Sequence, residues 1–246
     1  MNRFDTIEDP RRRQLIEALA VGMALAGLPV GAAVAQGVFG SRPEKLPPGQ
    51  SVYRLTGTAS VNGAAANLRT QVRPGDTIET GKDSEIIFVV GGHSMILRAE
   101  SRLTIEGERS AAAALLLSAM RLLTGKLLSV SRDARMRVTT PTATIGIRGT
   151  GFYAEADPEQ TYFCTCYGST EIAANNDPSS TDAVSAKHHD RPLYILAKAP
   201  AGRGIRNAPF INHTDQELAL IETLVGRTPP FVFSTDSYGG PRRREY

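Results

Sequence analysis

Short apolar segments separated by turn residues dominate the chain between residues 51 and 174, and they constrain the fold more than any other feature. Some segments are apolar throughout, as in residues 85–90, whereas Leu103-Thr104-Ile105 alternates between apolar and polar side chains. Many short strands at roughly ten-residue spacing are typical of all-β domains. The sequence therefore predicts a mainly β fold, either a short-stranded β-sandwich or a solenoid-like β-roll, with a C-terminal α-helix.

Two glycine-containing blocks bracket these segments. The first contains Gly75-Asp76 and the second contains Arg148-Gly149-Thr150. Glycine tolerates the positive φ angles that tight turns require, so we assign a structural turn role to Gly75, Asp76, Arg148, Gly149 and Thr150. We expect Arg148 to bond backbone carbonyls or a carboxylate at the end of the sheet, and not to bind an external anion.

The segment after residue 174 has a different character. Residues 175–182 are rich in Asn, Asp, Pro and Ser and predict a loop, and residues 192–197 predict a strand. Thr214-Asp215-Gln216-Glu217 has the pattern of a capping box, and the apolar spacing beyond it predicts a helix over 214–225. Upstream, the Ala- and Leu-rich run 111–120 predicts a short helix or an insertion, with a buried strand as the alternative.

The N-terminal sequence predicts export from the cytoplasm. Arg11-Arg12-Arg13 precedes an apolar run that ends in Ala33-Val34-Ala35, a small-x-small pattern before Gln36. Residues 1–35 are predicted to be a twin-arginine-like leader, or an N-terminal anchor if they are not cleaved. We expect a linker over 36–50, a β domain over 51–174 and a C-terminal extension over 175–246. The predicted location is the periplasm, or the inner membrane with the body facing the periplasm.

Composition and the lack of familiar motifs exclude several function classes. The formal net charge is only +3, and the one consecutive basic run outside the leader is Arg242-Arg243-Arg244. Nucleic-acid binding, which requires a clustered basic face, is therefore not expected. The sequence contains no Gly-x-Ser-x-Gly elbow, no His-Glu-x-x-His and no phosphate-binding glycine loop, so we do not expect an enzyme.

The two cysteines and three of the four histidines form the main candidate site. Cys164 and Cys166 share one face of a predicted strand. Their Cα atoms would be about 6.6 Å apart at ~3.3 Å per residue, near the upper limit for a disulfide. If the extension folds back, His188, His189 or His213 can complete an S₂N₂ site for zinc or copper. Buried thiols, a disulfide and a redox-active pair are the alternatives, and no other cofactor is predicted.

The two bracketing blocks and the strands between them resemble the FecR-domain family over residues 56–174, roughly half of the chain. The matching features are the Gly75-Asp76 turn, the Leu123-Thr124-Gly125-Lys126-Leu127 strand, the Thr140-Pro141 step, the Arg148-Gly149-Thr150 turn and the strand over 167–172. The resemblance implies a bacterial periplasmic β module that is linked to signalling across the inner membrane.

Larger members of that family add a cytoplasmic segment that holds a sigma factor and a C-terminal piece that contacts an outer-membrane transporter. We see no counterpart of either, so the expectation is a stand-alone FecR-like protein that binds, senses or signals in the cell envelope. Its partner would be an envelope protein or polymer, and it would touch the membrane only if the leader is not cleaved. The alternative is a periplasmic metal- or redox-site protein that uses Cys164 and Cys166 with His188, His189 or His213.

Overall fold

The computed structural model describes residues 43–109 and 115–231. The predicted leader and residues 36–42 of the predicted linker lie outside this part of the chain. Within it, no helix has the length and apolar character needed to cross a membrane.

Thirteen strands and one helix form the described part of the chain. The first seven strands are short or of moderate length: β1 Val52–Thr56, β2 Ala59–Val61, β3 Ala64–Ala65, β4 Thr77–Thr80, β5 Glu85–Val90, β6 His93–Leu97 and β7 Arg102–Arg109. Four longer strands follow: β8 Leu115–Thr139, β9 Ala143–Ala156, β10 Gln160–Ala174 and β11 Asp177–Ala186. The chain then forms β12 Leu193–Leu196, β13 Ile205–Asn207 and helix α1 Asp215–Leu224.

All of these strands belong to one antiparallel sheet that does not close on itself. Its main path runs β13-β12-β10-β9-β8-β7-β4-β2-β3. Beside this path, β6 joins β8 to β5 and β5 joins β1, while β11 pairs with β10. The predicted mainly β class with a C-terminal helix is confirmed. The helix also starts as predicted, because Thr214 is its N-cap and both bonds of the capping box to Glu217 are present.

The strands of the second half are longer than the sequence pattern predicts. Residues 122–139, which read as two short strands, form part of the 25-residue strand β8. This strand pairs with β6 and β7 on one side and with β9 on the other. Beyond Val130 only β9 pairs with β8 among the described residues, with a register shift between Ser131 and Arg135. Pairing with β9 on either side of this irregularity continues the strand where the side-chain pattern alone suggests a break.

Two further local predictions are wrong. Residues 115–120 of the expected short helix are strand in β8 and pair with β7, because tertiary pairing overrides the helix propensity of Ala and Leu. Residues 111–114 of that run lie outside the described residues. The predicted loop 175–182 is a turn only at 175–176, since residues 177–182 begin β11 and pair with β10.

The two predicted turn blocks have different outcomes. Gly75 has a φ of 96° in the turn before β4, where Asp76 accepts a 2.7 Å hydrogen bond from the Arg73 backbone N–H. Arg148-Gly149-Thr150, by contrast, lies within β9 and not in a turn. Gly149 has a φ of 61° beside register shifts in both neighbouring pairings, as expected for a β-bulge. The Arg148 side chain is exposed and has no hydrogen bond or ion pair among the described residues, so its predicted carbonyl contacts are absent there.

Each face of the sheet contributes to a separate apolar cluster. In β5, Ile86 and Phe88 belong to the larger cluster, whereas Ile87 belongs to the second. Helix α1 covers the second cluster with Leu218, Ile221 and Leu224. Cys164 and Cys166 lie in that same cluster, so the helix packs on the face of the sheet that carries both thiols.

A substitution at Gly125 tests how closely β8 packs against the backbone and side chain of Ser101. The φ of Gly125 is 90°, and an added Cβ would lie 2.0 Å from Ser101 Oγ and 2.5 Å from Ser101 Cα. We expect Gly125→Ala to lower the free energy of unfolding by about 3 kcal/mol, since a steric clash with backbone adds to the strain of positive φ.

Gly75→Ala is the matched control, because Gly75 also has a positive φ but a Cβ added there would meet no atom within 4 Å. It should cost only about 1 kcal/mol. Urea denaturation measures both losses, and equal losses would contradict the packing at Gly125.

Candidate functional site

Four of the five predicted ligand residues come together in space. Cys164 and Cys166 lie on β10, His189 lies in the loop between β11 and β12, and His213 directly precedes the N-cap of α1. Their two sulfur atoms and one nitrogen from each ring all lie within 4.8 Å of one another. We call these four residues the thiol–imidazole cluster.

The pairing of β10 explains why the β11–β12 loop reaches the cysteines. Residues 160–163 of β10 pair with β12, and residues 168–174 pair with β11. The stretch 164–167 lies between these two partners, so the loop that joins them must pass beside it. The His189 backbone N–H then donates a 2.9 Å hydrogen bond to the Cys166 carbonyl, which fixes the loop to the strand.

The same stretch of β10 is irregular on its other edge. Its pairing with β9 changes register between Thr165 and Tyr167 and again between Tyr167 and Ser169. Such bulges bend the strand and re-aim its side chains. Cys164 and Cys166 remain on one face, as the sequence predicts, and both are free and buried thiols.

The loop before α1 is fixed by contacts outside the cluster. Tyr162 Oη accepts a 3.3 Å hydrogen bond from the Ile211 backbone N–H. Arg98 donates to the Asn212 carbonyl and, at 2.6 Å, to the carboxylate of Glu217. These bonds place His213 against the sheet independently of the cysteines.

Outer hydrogen bonds determine which nitrogen each histidine presents to the cluster. His213 Nδ1 is 2.7 Å from the Ile211 carbonyl, which can only accept, so Nδ1 carries a proton and Nε2 faces inward. His189 Nε2 is 3.0 Å from Asp215 Oδ1 and donates to that carboxylate, which turns Nδ1 inward. Inside the cluster, His189 Nδ1 is 3.5 Å from Cys164 Sγ and 3.1 Å from His213 Nε2.

The two thiols differ electrostatically although they are two residues apart. The hydrogen bond from Cys166 lowers the pKa of Cys164, and the contacts of Cys164 with His189 and His213 lower it further. Burial alone would raise this pKa. Burial raises the pKa of Cys166 well above its ordinary value. Burial opposes protonation of His189, but Cys164 and Asp215 together raise the pKa of its ring. The cluster therefore favours a thiolate at Cys164 beside the His189 ring.

Aromatic side chains line the cluster on the side of its two histidines. The Tyr153 ring stacks on His213 with centroids 4.6 Å apart. Phe210 lies 4.5 Å from both His189 and His213, and Phe231 lies 4.5 Å from His188. An apolar wall of this kind lowers the local dielectric and limits solvent access.

His188 does not join the cluster. Its side chain is 45% exposed, against 8% for His189, and its Nε2 lies 2.9 Å and 3.0 Å from the two Asp215 oxygens. With His189 and Asp215 it forms a second, more exposed group of possible ligands.

Sequence reasoning missed Asp215, which it assigned to helix capping alone. A carboxylate in the first turn of a helix is favourable without any other role, so no sequence signal pointed to its contacts with two histidines from a distant loop.

Comparison with known proteins supports the β domain but not the cluster as a family feature. A family model described as FecR protein matches residues 76–169, which confirms the resemblance over this part of the chain. Cys164 and Cys166 lie inside the matched residues, whereas His189 and His213 lie beyond them. No curated protein shows significant similarity to the sequence.

Two crystal structures of a putative anti-sigma factor from Parabacteroides distasonis ATCC 8503 show weak structural similarity to this chain. Each is 15% identical to this chain with a TM-score of 0.42, and the alignment covers 54% of this chain and 58% of the other. The chain therefore matches less than two thirds of that protein.

The state of the thiols gives a direct check of the site. In the presence of a metal chelator and without a reductant, we expect the native protein to be alkylated slowly, because both sulfur atoms are buried. After unfolding in denaturant, again without reductant, both cysteines should react fully. Mass spectrometry counts the adducts, and labelling that requires prior reduction would instead show a disulfide.

Proposed function

We propose that this chain is a FecR-type sensing module of the bacterial cell envelope, with the thiol–imidazole cluster as its ligand site. The observation that carries the proposal is the convergence of four donor groups, three buried and one half-buried, from one strand of the FecR-like domain and two loops of the following segment. The FecR family match supports a signalling or sensing role, and the predicted leader supports a place outside the cytoplasm.

The position of the cluster suits a sensor because it joins parts that are distant in sequence. A ligand held by Cys164, Cys166, His189 and His213 would fix both histidine loops to β10. His213 is followed at once by the N-cap of α1, so the same ligand would also influence how the helix begins. A change in these loops would alter the surface offered to an envelope protein or polymer, which we propose as the partner.

The cluster also resembles the catalytic site of a cysteine hydrolase. Cys164, His189 and Asp215 form a chain of contacts with the nucleophile–base–orienter order of cysteine hydrolases. Burial argues against catalysis, because Cys164 has 0% exposed surface and a substrate carbonyl must reach the sulfur. The contact of His189 with His213, at 3.1 Å, also differs from a simple triad. We therefore favour binding over catalysis at this site.

Export is the first testable part of the proposal. When the full chain is produced in a bacterial host, we expect the mature protein to start at Gln36 and to be released with the periplasmic fraction when spheroplasts are prepared. An uncleaved, anchored chain should instead be digested by protease added to the spheroplasts. N-terminal sequencing and immunoblotting provide these readouts. The envelope location would be refuted if the protein stayed inside the spheroplasts and resisted protease while a marker on the periplasmic side of the inner membrane was digested.

The sensing role is tested by the dependence of a protein contact on the cluster. We expect chemical crosslinking in cells of the source bacterium to capture an envelope partner whose yield changes in the Cys164→Ser/Cys166→Ser double variant. Thr165→Ser is the matched control, since Thr165 lies between the cysteines and its hydroxyl bonds Thr170 outside the cluster. A crosslinking pattern that is the same in all three proteins would contradict the proposal.

A further inference from the structure

We infer that the thiol–imidazole cluster is a mononuclear, four-coordinate site for a thiophilic d¹⁰ cation, Zn²⁺ in the first place. The ligands are Cys164 Sγ, Cys166 Sγ, His189 Nδ1 and His213 Nε2. This inference rests on the proposed function, since it names the ligand of the same site. It also stands on observations of its own, which are the donor spacing, the ring orientations, the burial and the backbone of the two loops.

The spacing of the donor atoms agrees with a tetrahedral ion. With Zn–S near 2.3 Å and Zn–N near 2.05 Å, tetrahedral coordination places a sulfur about 3.6 Å from a nitrogen and two nitrogens about 3.3 Å apart. Cys164 Sγ lies 3.5 Å from His189 Nδ1, and His189 Nδ1 lies 3.1 Å from His213 Nε2. All four donor atoms lie within 4.8 Å of one another, so small side-chain movements complete the geometry.

The ring orientations direct two lone pairs at the same point. His213 uses its Nδ1–H on the Ile211 carbonyl, and His189 uses its Nε2–H on Asp215. The remaining nitrogens face each other, and two neutral nitrogens in this arrangement repel unless a cation lies between them. A proton can satisfy the two rings, whereas one metal ion can bind both ring nitrogens and both sulfur atoms at the same time.

These outer hydrogen bonds are those of a supported metal site. Histidine ligands commonly donate their second N–H to a carboxylate or a backbone carbonyl, which fixes the tautomer and raises the basicity of the ligating nitrogen. Here His189 has the carboxylate partner and His213 has the carbonyl partner. Asp215 thus acts as a positioning residue and not as a ligand of this site.

The donor set and its surroundings select the class of ion. Thiolate and imidazole ligands suit Zn²⁺ and Cu⁺, whereas Mg²⁺ and Ca²⁺ require oxygen donors. The competing group of His188, His189 and Asp215 has no sulfur and is more exposed. Four protein ligands behind an aromatic wall leave no coordination position for substrate, as in structural zinc sites and unlike catalytic ones.

The backbone of both histidine loops provides an independent observation. His189 has a φ of 50°, and Asn212, directly before His213, has a φ of 58°. Left-handed conformations are costly for residues other than glycine and cluster at sites where the surroundings hold them in place. Two of the five such residues in the described part of the chain, His189 and Asn212, lie where the loops turn a ring toward β10; the other three are Asn62, Asp83 and Glu100.

Metal content of the purified full chain tests the inference directly. After removal of metal and titration with Zn²⁺ alone, we expect one Zn²⁺ per chain by elemental analysis and a higher Tm than for the metal-free protein. Substitution with Co²⁺ should give the absorption of a tetrahedral site with sulfur-to-metal charge transfer. A parallel arm with Cu⁺ under reducing, anaerobic conditions shows which d¹⁰ ion binds more tightly.

Variants distinguish the cluster from the neighbouring group. Cys166→Ser and His213→Gln should lose stoichiometric Zn²⁺ and the charge-transfer band, while the matched control His188→Gln should keep both. Circular dichroism of each metal-free variant shows that it folds. If His188→Gln loses the metal and Cys166→Ser keeps it, the ion belongs to the exposed group and the inference is wrong. It is also wrong if wild-type protein binds no more Zn²⁺ than the Cys164→Ser/Cys166→Ser variant.

Asp215→Ala separates positioning from ligation. It should weaken Zn²⁺ affinity by about 10- to 100-fold while the 1:1 stoichiometry and the Co²⁺ spectrum are retained. A complete loss of the tetrahedral spectrum would show that Asp215 is itself a ligand and would overturn the assignment. Because these measurements use purified protein, a failure to bind metal is distinguishable from a failure to signal, which is measured by crosslinking in cells.

Discussion

The two-sided pairing of β10 is the constraint on which the rest of the structure depends. On one side it pairs with β9, and on the other with β12 and then β11, with an unpaired interval at residues 164–167. Both cysteines lie in or at the edge of that interval. The loop from β11 to β12 must cross it, and the bond from His189 N–H to the Cys166 carbonyl completes the backbone contact there. Strand pairing therefore places His189 beside the thiols of Cys164 and Cys166.

Helix α1 completes the site from above the sheet. Its apolar residues pack on the same cluster that contains the cysteines, and this packing brings its N-terminus over β10. His213 precedes the N-cap and Asp215 follows it, so one helix start supplies both a candidate ligand and the carboxylate that orients His189. The apolar contact and the polar site thus have the same origin, which is the docking of α1 on one face of the sheet.

Local signals account for what could be predicted from the sequence. The capping box at Thr214 and Glu217 involves residues three positions apart, and the shared face of Cys164 and Cys166 follows from the two-residue repeat of a strand. The continuity of β8 and the bulge at Gly149 could not be predicted, because they depend on partners far along the chain. Asp215 was missed for the same reason, since its histidine partners lie more than twenty residues upstream. His188 was grouped with His189 by adjacency, and both rings contact Asp215, but only His189 also reaches Cys164 and His213.

Anomalous X-ray scattering tests the central claim most directly. Crystals of the protein grown with Zn²⁺, measured on both sides of the zinc absorption edge, should show one strong anomalous peak per chain. We predict that the peak lies about 2.3 Å from both sulfur atoms and about 2.0 to 2.1 Å from His189 Nδ1 and His213 Nε2. A peak between His188 and Asp215, or a disulfide between Cys164 and Cys166 in its place, would contradict the account.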